Sequence, residues 1–346
     1  MNSGNAVAAL VMLAVLGLGA SPGLAEDADN RAPARSGAEW LEFMASSAEN
    51  LHYSGTFIHS EDGGMKTLRV VHRADPDGPR ERLVSLTGGR QEILRDRGKV
   101  RCIHEEDKQG QRDLRHTAAR FFAHLAEDGV SRFEEYYQIL DLGQDRVAGR
   151  DCQVIGLKPN DDLRYGLRFW IDTATGMPLR TDLVDADGDT RKKVMFTEFR
   201  HRDEIADAEL EPELDEGTGR YATRKASLRK PESGSLDHPG VSKYWGIDGL
   251  PAGYRVHVAD GDGYRGHSKL HHLIVTDGVS RISIFAEPLE EDGTPMEGLS
   301  RMGSTNAYAR VLNGYQLTVV GEAPAAAVRR IAEAVNRVPE GAGDEE

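Results

Sequence analysis

Cysteine is nearly absent from this chain: two residues in 346, Cys102 and Cys152. Neither sits in a C-x-x-C motif or at the start of an expected helix, which argues against a catalytic thiol. A bridge between them and two separate buried thiols both remain open on the sequence. A bridge would close a loop of about 50 residues and contribute about 4 kcal/mol in the chain-entropy model. Catalytic signatures are missing as well. There is no G-x-S-x-G, no H-E-x-x-H, no phosphate loop, and no G-x-G-x-x-G opening a helix in a βαβ unit. The chain lacks excess positive charge: its formal net charge is −14, which argues against nucleic acid as a partner. After residue 20 no apolar run reaches the ~18 residues a membrane span needs. No internal repeat is found.

What is present begins with an almost wholly apolar run, Ala6 to Ala20, followed by the small residues of Gly23-Leu24-Ala25. The run is short for a spanning helix and reads as a signal peptide over residues 1–25, cut after Ala25. An uncleaved anchor is the competing reading, since no Lys or Arg precedes the run. No cysteine follows it to take a lipid. With 39% hydrophobic and 29% charged residues, the remainder is a soluble globular chain long enough for two domains.

Ser36-Gly37-Ala38-Glu39 is a capping box, and Trp40, Leu41, Met44, Ala45, Ala48 and Leu51 follow at helical spacing. From Tyr53 the apolar pattern changes to period two. Turn signals at Asp62-Gly63-Gly64, Asp75–Pro79, Thr87-Gly88-Gly89 and Asp96-Arg97-Gly98 divide a meander of five strands. Asp113 to Gly129 is expected to be helical. Five more strands are expected between Tyr136 and Phe199. Some ten strands with one or two helices make a large antiparallel sheet that curls and encloses an apolar groove. Residues 203–240, first acidic, then basic, then rich in Pro, Gly and Ser, read as a charged linker, with a charge-based partner site as the sharper alternative. Residues 241–337 read as a smaller α+β domain whose final helix spans Ala325–Val335. The first domain accordingly spans residues 36–202.

His257, His267, His271 and His272 cluster in the second unit, but their spacing matches no metal motif. No metal and no cofactor is assigned. The aromatic and aliphatic residues of the large sheet have two readings, a solid core or the lining of a groove for a lipid tail. The groove candidates are Phe57, Leu68, Val70, Leu83, Phe121, Phe122 and Phe169.

Several segments resemble the RseB/MucB family. In the large domain they are Trp40-Leu41, Tyr53–Phe57, Arg80–Leu83, Arg90-Gln91-Glu92, Arg146–Arg150, Arg164-Tyr165-Gly166 and Asp172–Leu179. In the small domain they are Leu250–Tyr254, Thr276-Asp277-Gly278, Ser283-Ile284-Phe285, Gly303–Ala307 and Asn313–Glu322. The resemblance implies an α+β fold: an unclosed β-barrel like that of periplasmic lipoprotein carriers, covered by helices, plus a small domain. It implies no enzyme but a periplasmic negative regulator of the envelope stress response. Such a regulator binds the periplasmic part of a transmembrane anti-sigma factor and protects it from regulated proteolysis. Lipid or lipopolysaccharide is the implied signal. A periplasmic lipid or lipoprotein carrier is the alternative, although a carrier has no need of the second domain. On this reading Tyr244, Trp245, Tyr254 and Arg255 are partner-contact candidates, because large aromatics and Arg dominate interface energies. Small-domain core and rim is the other reading of the same four. Oligomeric state, a homo-oligomer included, is left open.

Overall fold

The computed structural model describes residues 35–105, 133–214, 221–227, 245–258, 271–289 and 293–337. The expected signal peptide, the helix expected over Asp113–Gly129 with Phe121 and Phe122, and Tyr244 all lie outside the described residues.

Helix α1 (Gly37–Asn50) starts where the capping box predicts. Glu39 N–H donates to Ser36 Oγ at 3.2 Å, and Ser36 N–H donates to the Glu39 carboxylate at 2.6 Å. Two meanders follow. The first is β1 (Tyr53–Glu61), β2 (Gly64–Arg73), β3 (Arg80–Ser85), β4 (Gln91–Asp96) and β5 (Lys99–Glu105). A short helical turn, α2 (Phe133–Tyr136), leads into the second. It comprises β6 (Tyr137–Val147), β7 (Arg150–Pro159), β8 (Gly166–Asp172), β9 (Pro178–Val184) and β10 (Thr190–His201). The chain reverses between β6 and β7 at Ala148-Gly149, both left-handed.

The two meanders join because β10 returns to pair with β1 along its whole length, with a bulge at Thr56/Phe57. The result is an open eleven-stranded antiparallel sheet, ordered β11-β5-β4-β3-β2-β1-β10-β9-β8-β7-β6. Period-two alternation divides its side chains between two faces. One face gathers Tyr53, Phe57, Leu68, Val70, Leu83, Ile93, Val154, Trp170 and Phe196 from both meanders. The other buries Ile155, Leu157, Leu167, Phe169 and Ile171 under Trp40, Leu41 and Met44 of α1.

The stretch expected to be a linker differs from that expectation. Residues 203–214 lie against the back of β2–β4, and β11 (Tyr221–Ser227) pairs with β5 as the eleventh strand. Charge anchors the acidic stretch. Asp207 meets Arg73 (2.8 Å) and Arg80 (2.7 Å), Glu213 meets Arg82 (2.9 Å), and Glu209 meets Arg202 (3.2 Å). Leu214 closes over Leu94 and Ile103, on the face opposite Ile93 and Cys102. Composition alone reads such a run as solvated. Arg73 on β2, Arg80 and Arg82 at alternate positions of β3, and Arg202 just past β10 capture it.

The smaller sheet is ordered β13 (Arg255–Val258), β14 (His271–Thr276), β15 (Arg281–Pro288), β18 (Tyr315–Gly321), β17 (Thr305–Leu312), β16 (Gly298–Met302). Helix α3 (Ala325–Ala334) covers one face through Ala327, Val328, Ile331 and Ala332, all fully buried. Trp245–Ile247 (β12) and Val335–Arg337 (β19) pair beside it. Among the described residues no helix is long and apolar enough to cross a membrane. The fold is thus the expected α+β class: a large curved open sheet with few helices, and a smaller α+β unit.

No bridge joins Cys102 to Cys152. They sit on β5 and β7, with seven strands between them in the sheet order, although both side chains belong to the same apolar face. Burial pushes the Cys152 thiol up to about 11.

Candidate functional site

The two sheets meet along a polar seam that has two centres. The first is built on Arg164, in the turn between β7 and β8. Its side chain is fully buried. The guanidinium lies between the rings of Tyr136 (4.7 Å) and Tyr254 (4.9 Å), and its Nε is 3.1 Å from Asp277 Oδ2. It also pairs with Asp161 and donates to the Ala252 carbonyl. Asp277, in the β14–β15 turn, accepts the N–H groups of Ser280 (2.7 Å) and Val279 (3.0 Å) and, more distantly, the Tyr137 hydroxyl (3.4 Å). Burial pushes the Asp277 carboxyl above its usual range, against the pull of those two amides and of Arg164. Tyr254 donates its hydroxyl to the Leu163 carbonyl at 2.9 Å. Buried charge survives only when paired and hydrogen-bonded in this way. The arrangement needs Gly253. At φ +82 a side chain would be strained there, and a Cβ would come within 2.7 Å of the Tyr136 ring.

The second centre brings the tip of the β1–β2 hairpin against the β16–β17 turn. Ser304 Oγ lies 2.7 Å from Glu61 Oε1 and 2.5 Å from Glu322 Oε1. A hydroxyl has one proton to give, so it donates to one of these carboxylates at a time. Lys192 Nζ, opposite Glu61 in the β1–β10 register, donates to both Glu322 oxygens at 2.9 and 3.0 Å. Burial opposes the charged form of Glu322, but Lys192 and Ser304 outweigh it and hold the carboxyl below its usual value. Burial and the Lys192 charge lower His59 beside it. The Asn306 amide links the Tyr165 hydroxyl (3.1 Å) to the Ala323 carbonyl (2.8 Å), and Tyr165 donates to Ser304 O at 3.2 Å. Gly303, at φ +71, leaves room for Asp62. The consecutive residues Arg164 and Tyr165 therefore serve both centres.

These sheet-to-sheet contacts surround some of the sequence-predicted residues and not others. Phe57, Leu68, Val70 and Leu83 are brought together on one face of the large sheet. Phe169 is not with them. It faces α1, because it lies one residue out of phase with Trp170 on β8. Of the described partner candidates, Trp245 and Tyr254 are buried in the small-unit core, where Trp245 meets Tyr315 edge-on at 5.3 Å. A buried ring offers no surface to a partner, and Arg255 alone of the three is exposed. His271 lies beside Trp245 and His272 stacks on Phe285 at 4.4 Å. Among the described residues no group of His, Cys, Asp and Glu is placed to hold a metal. Arg164, Tyr165, Asp277, Ser304 and Asn306 had no assigned role. They lie in segments that carry the family resemblance, but their partners come from distant parts of the chain, so the sequence does not show what they do.

A model of the MucB/RseB N-terminal domain matches residues 36–214, and one of the MucB/RseB C-terminal domain matches residues 240–336. This chain belongs to the MucB/RseB family. The first match includes the described part of the acidic stretch, residues 203–214, docked on the large sheet. Among MucB/RseB relatives, the sigma factor AlgU regulatory protein MucB of Pseudomonas aeruginosa is 27% identical over 304 residues, covering 85% of this chain and 89% of that protein. The sigma-E factor regulatory protein RseB of Escherichia coli K12 is 26% identical over 300 residues, covering 85% and 88%. The solved MucA/MucB complex of Pseudomonas aeruginosa aligns with a TM-score of 0.67 at 24% identity, covering 88% of this chain and 99% of the matched one, which shows a shared fold. Both relatives are named as sigma factor regulatory proteins.

Proposed function

We propose that this chain is a periplasmic negative regulator of an envelope stress response. It binds the periplasmic part of a transmembrane anti-sigma factor and protects that protein from regulated proteolysis. The observation that carries the reading is the family match over both units in order, 36–214 and 240–336. The apolar run at residues 6–20 supports export through a cleaved signal peptide. The regulator is relieved by a lipid or lipopolysaccharide whose acyl part is taken up by the apolar face carrying Phe57, Leu68, Val70 and Leu83. The polar seam suits such a switch. Its ion pairs and hydrogen bonds hold one relative placement of the two sheets, and a ligand that prefers another placement shifts the balance.

The test is a pulldown with the periplasmic segment of a MucA-like anti-sigma protein from the same genome. Micromolar or tighter binding that purified lipopolysaccharide reverses is expected. Absence of binding at micromolar concentration removes the regulatory reading. Binding that lipopolysaccharide leaves untouched removes the lipid part alone.

A further inference from the structure

Strand β16 is the last strand of the six-stranded sheet, and among the described residues it pairs only with β17. All of its residues are exposed. An edge strand presents unpaired backbone N–H and C=O groups that another strand can complete, and proteins blunt such edges with short strands, charged side chains, bulges or proline. β16 is short and carries Arg301, but it has neither bulge nor proline. Its register runs unbroken from Gly298↔Ala309 to Met302↔Thr305. It carries two large exposed apolar side chains, Leu299 and Met302. Register places Leu299 beside Tyr308 and Arg301 beside Asn306, and Arg301 Nε donates to Asn306 Oδ1 at 3.2 Å. The exposed Arg329 of α3 reaches the same Tyr308, with its guanidinium 5.6 Å from the ring. Arg330 beside it is exposed as well, while Glu297 and Glu333 flank the patch with the opposite sign.

We propose that the β16 edge binds an extended segment bearing apolar residues and an acidic one, added as a seventh strand. The inference rests on the proposed function, since the anti-sigma partner supplies the segment. The backbone edge selects an extended chain, and the alternating positions select its side chains. An apolar residue lies by Leu299, an acidic residue two positions on lies by Arg301 and Arg329, and an apolar residue on the opposite face lies by Met302. Charge decides against a second copy of this chain. Pairing two β16 edges brings two sets of Arg301, Arg329 and Arg330 together, and like charges across strands are destabilising. The turn after Met302 abuts the β1–β2 hairpin through Ser304 and Glu61, and Met65 of that hairpin is exposed. A segment that overruns β16 thus meets the large sheet too, which makes its binding sensitive to how the seam holds the two sheets.

The experiment uses the full chain and the whole periplasmic segment of the anti-sigma protein, with two readouts. Hydrogen exchange at the amides of residues 298–302 is expected to slow in the complex, while exchange in the α1 region stays as it was. The exposed double variant Leu299→Lys/Arg301→Glu is expected to keep the wild-type thermal midpoint and to bind about tenfold or more weakly. If that variant unfolds early, exchange in the wild-type complex decides alone. Unchanged exchange at 298–302 in a complex that still forms overturns the edge assignment and leaves the proposed function standing. So does wild-type affinity in a folded double variant. Failure of the wild-type chain to bind removes both.

Discussion

Arg164 Nε and Asp277 Oδ2 lie 3.1 Å apart, and neither side chain is exposed to solvent. One residue belongs to the large sheet and the other to the small one, so the pair joins the two. Removing one member strands a buried charge, which costs about 3–5 kcal/mol. Arg164→Met is expected to lower the urea midpoint sharply, and Arg164→Met/Asp277→Asn to recover part of the loss. If the single variant unfolds at the wild-type midpoint, the pair does not hold the seam.

The back of the large sheet, where the acidic stretch docks, carries one deeply buried pair and several more exposed ones. Arg82 and Glu92 are almost fully buried at 3.1 Å, whereas Asp207, bonded to Arg73 and Arg80, is 74% exposed. Burial decides which matters. Glu92→Ala, which also strands the Glu213 amide at 3.1 Å, is expected to cost about 3 kcal/mol or more. Asp207→Asn is expected to leave the unfolding midpoint unchanged, because water and salt screen an exposed carboxylate. Equal effects in chemical denaturation would contradict this ordering.

His72 stacks on Tyr53 at 4.8 Å, with its Nδ1 3.1 Å from the Leu51 carbonyl. Burial lowers its pKa, although Glu81 and the Leu51 carbonyl pull the other way and His52 and Arg95 add to the lowering. The unfolded chain therefore takes up this proton first. The contribution is complete above the ordinary histidine value of about 6.5 and is lost as pH falls below it. Thermal midpoints between neutral and mildly acidic pH should fall less steeply in His72→Gln than in the wild type. The slope should not vanish, since His59, His271 and His272 are lowered by burial too. Parallel slopes would show that His72 contributes nothing to the acid response.

Each centre of the seam closes over a left-handed glycine, Gly253 at φ +82 and Gly303 at φ +71. A Cβ at either costs about 1–2 kcal/mol in backbone strain before any clash. At Gly253 it strikes Tyr136, and at Gly303 it strikes Asp62. Gly253→Ala and Gly303→Ala are expected to loosen the seam while sparing both cores. Calorimetry should then separate the unfolding of the two sheets into two transitions at unlike temperatures. A single transition at the wild-type temperature would mean that the seam tolerates the added carbon.

Much of the architecture was legible in the residues. The capping box at Ser36 and Glu39, the period-two runs from Tyr53 to His104, and the turn pairs Asp277-Gly278 and Asn313-Gly314 act over a few residues. Their consequences can be read locally. The open α+β sheet follows from the number of strands and the scarcity of helices. The family resemblance, spread over short segments from Trp40 to Glu322, pointed to the MucB/RseB family that both family matches bear out.

Only the tertiary structure decided what joins those elements. The pairing of β1 with β10, the capture of residues 203–214 by arginines of β2 and β3, and the addition of β11 to β5 link positions far apart in the chain. A charged run has the same composition whether water or arginine answers it. The same holds at single residues. Trp245 and Tyr254 are as consistent with an exposed anchor as with a core, until burial places them in the core. Arg164 carries no local mark of its role, because its role is set by Tyr136, Tyr254 and Asp277, which meet it only when both sheets have formed.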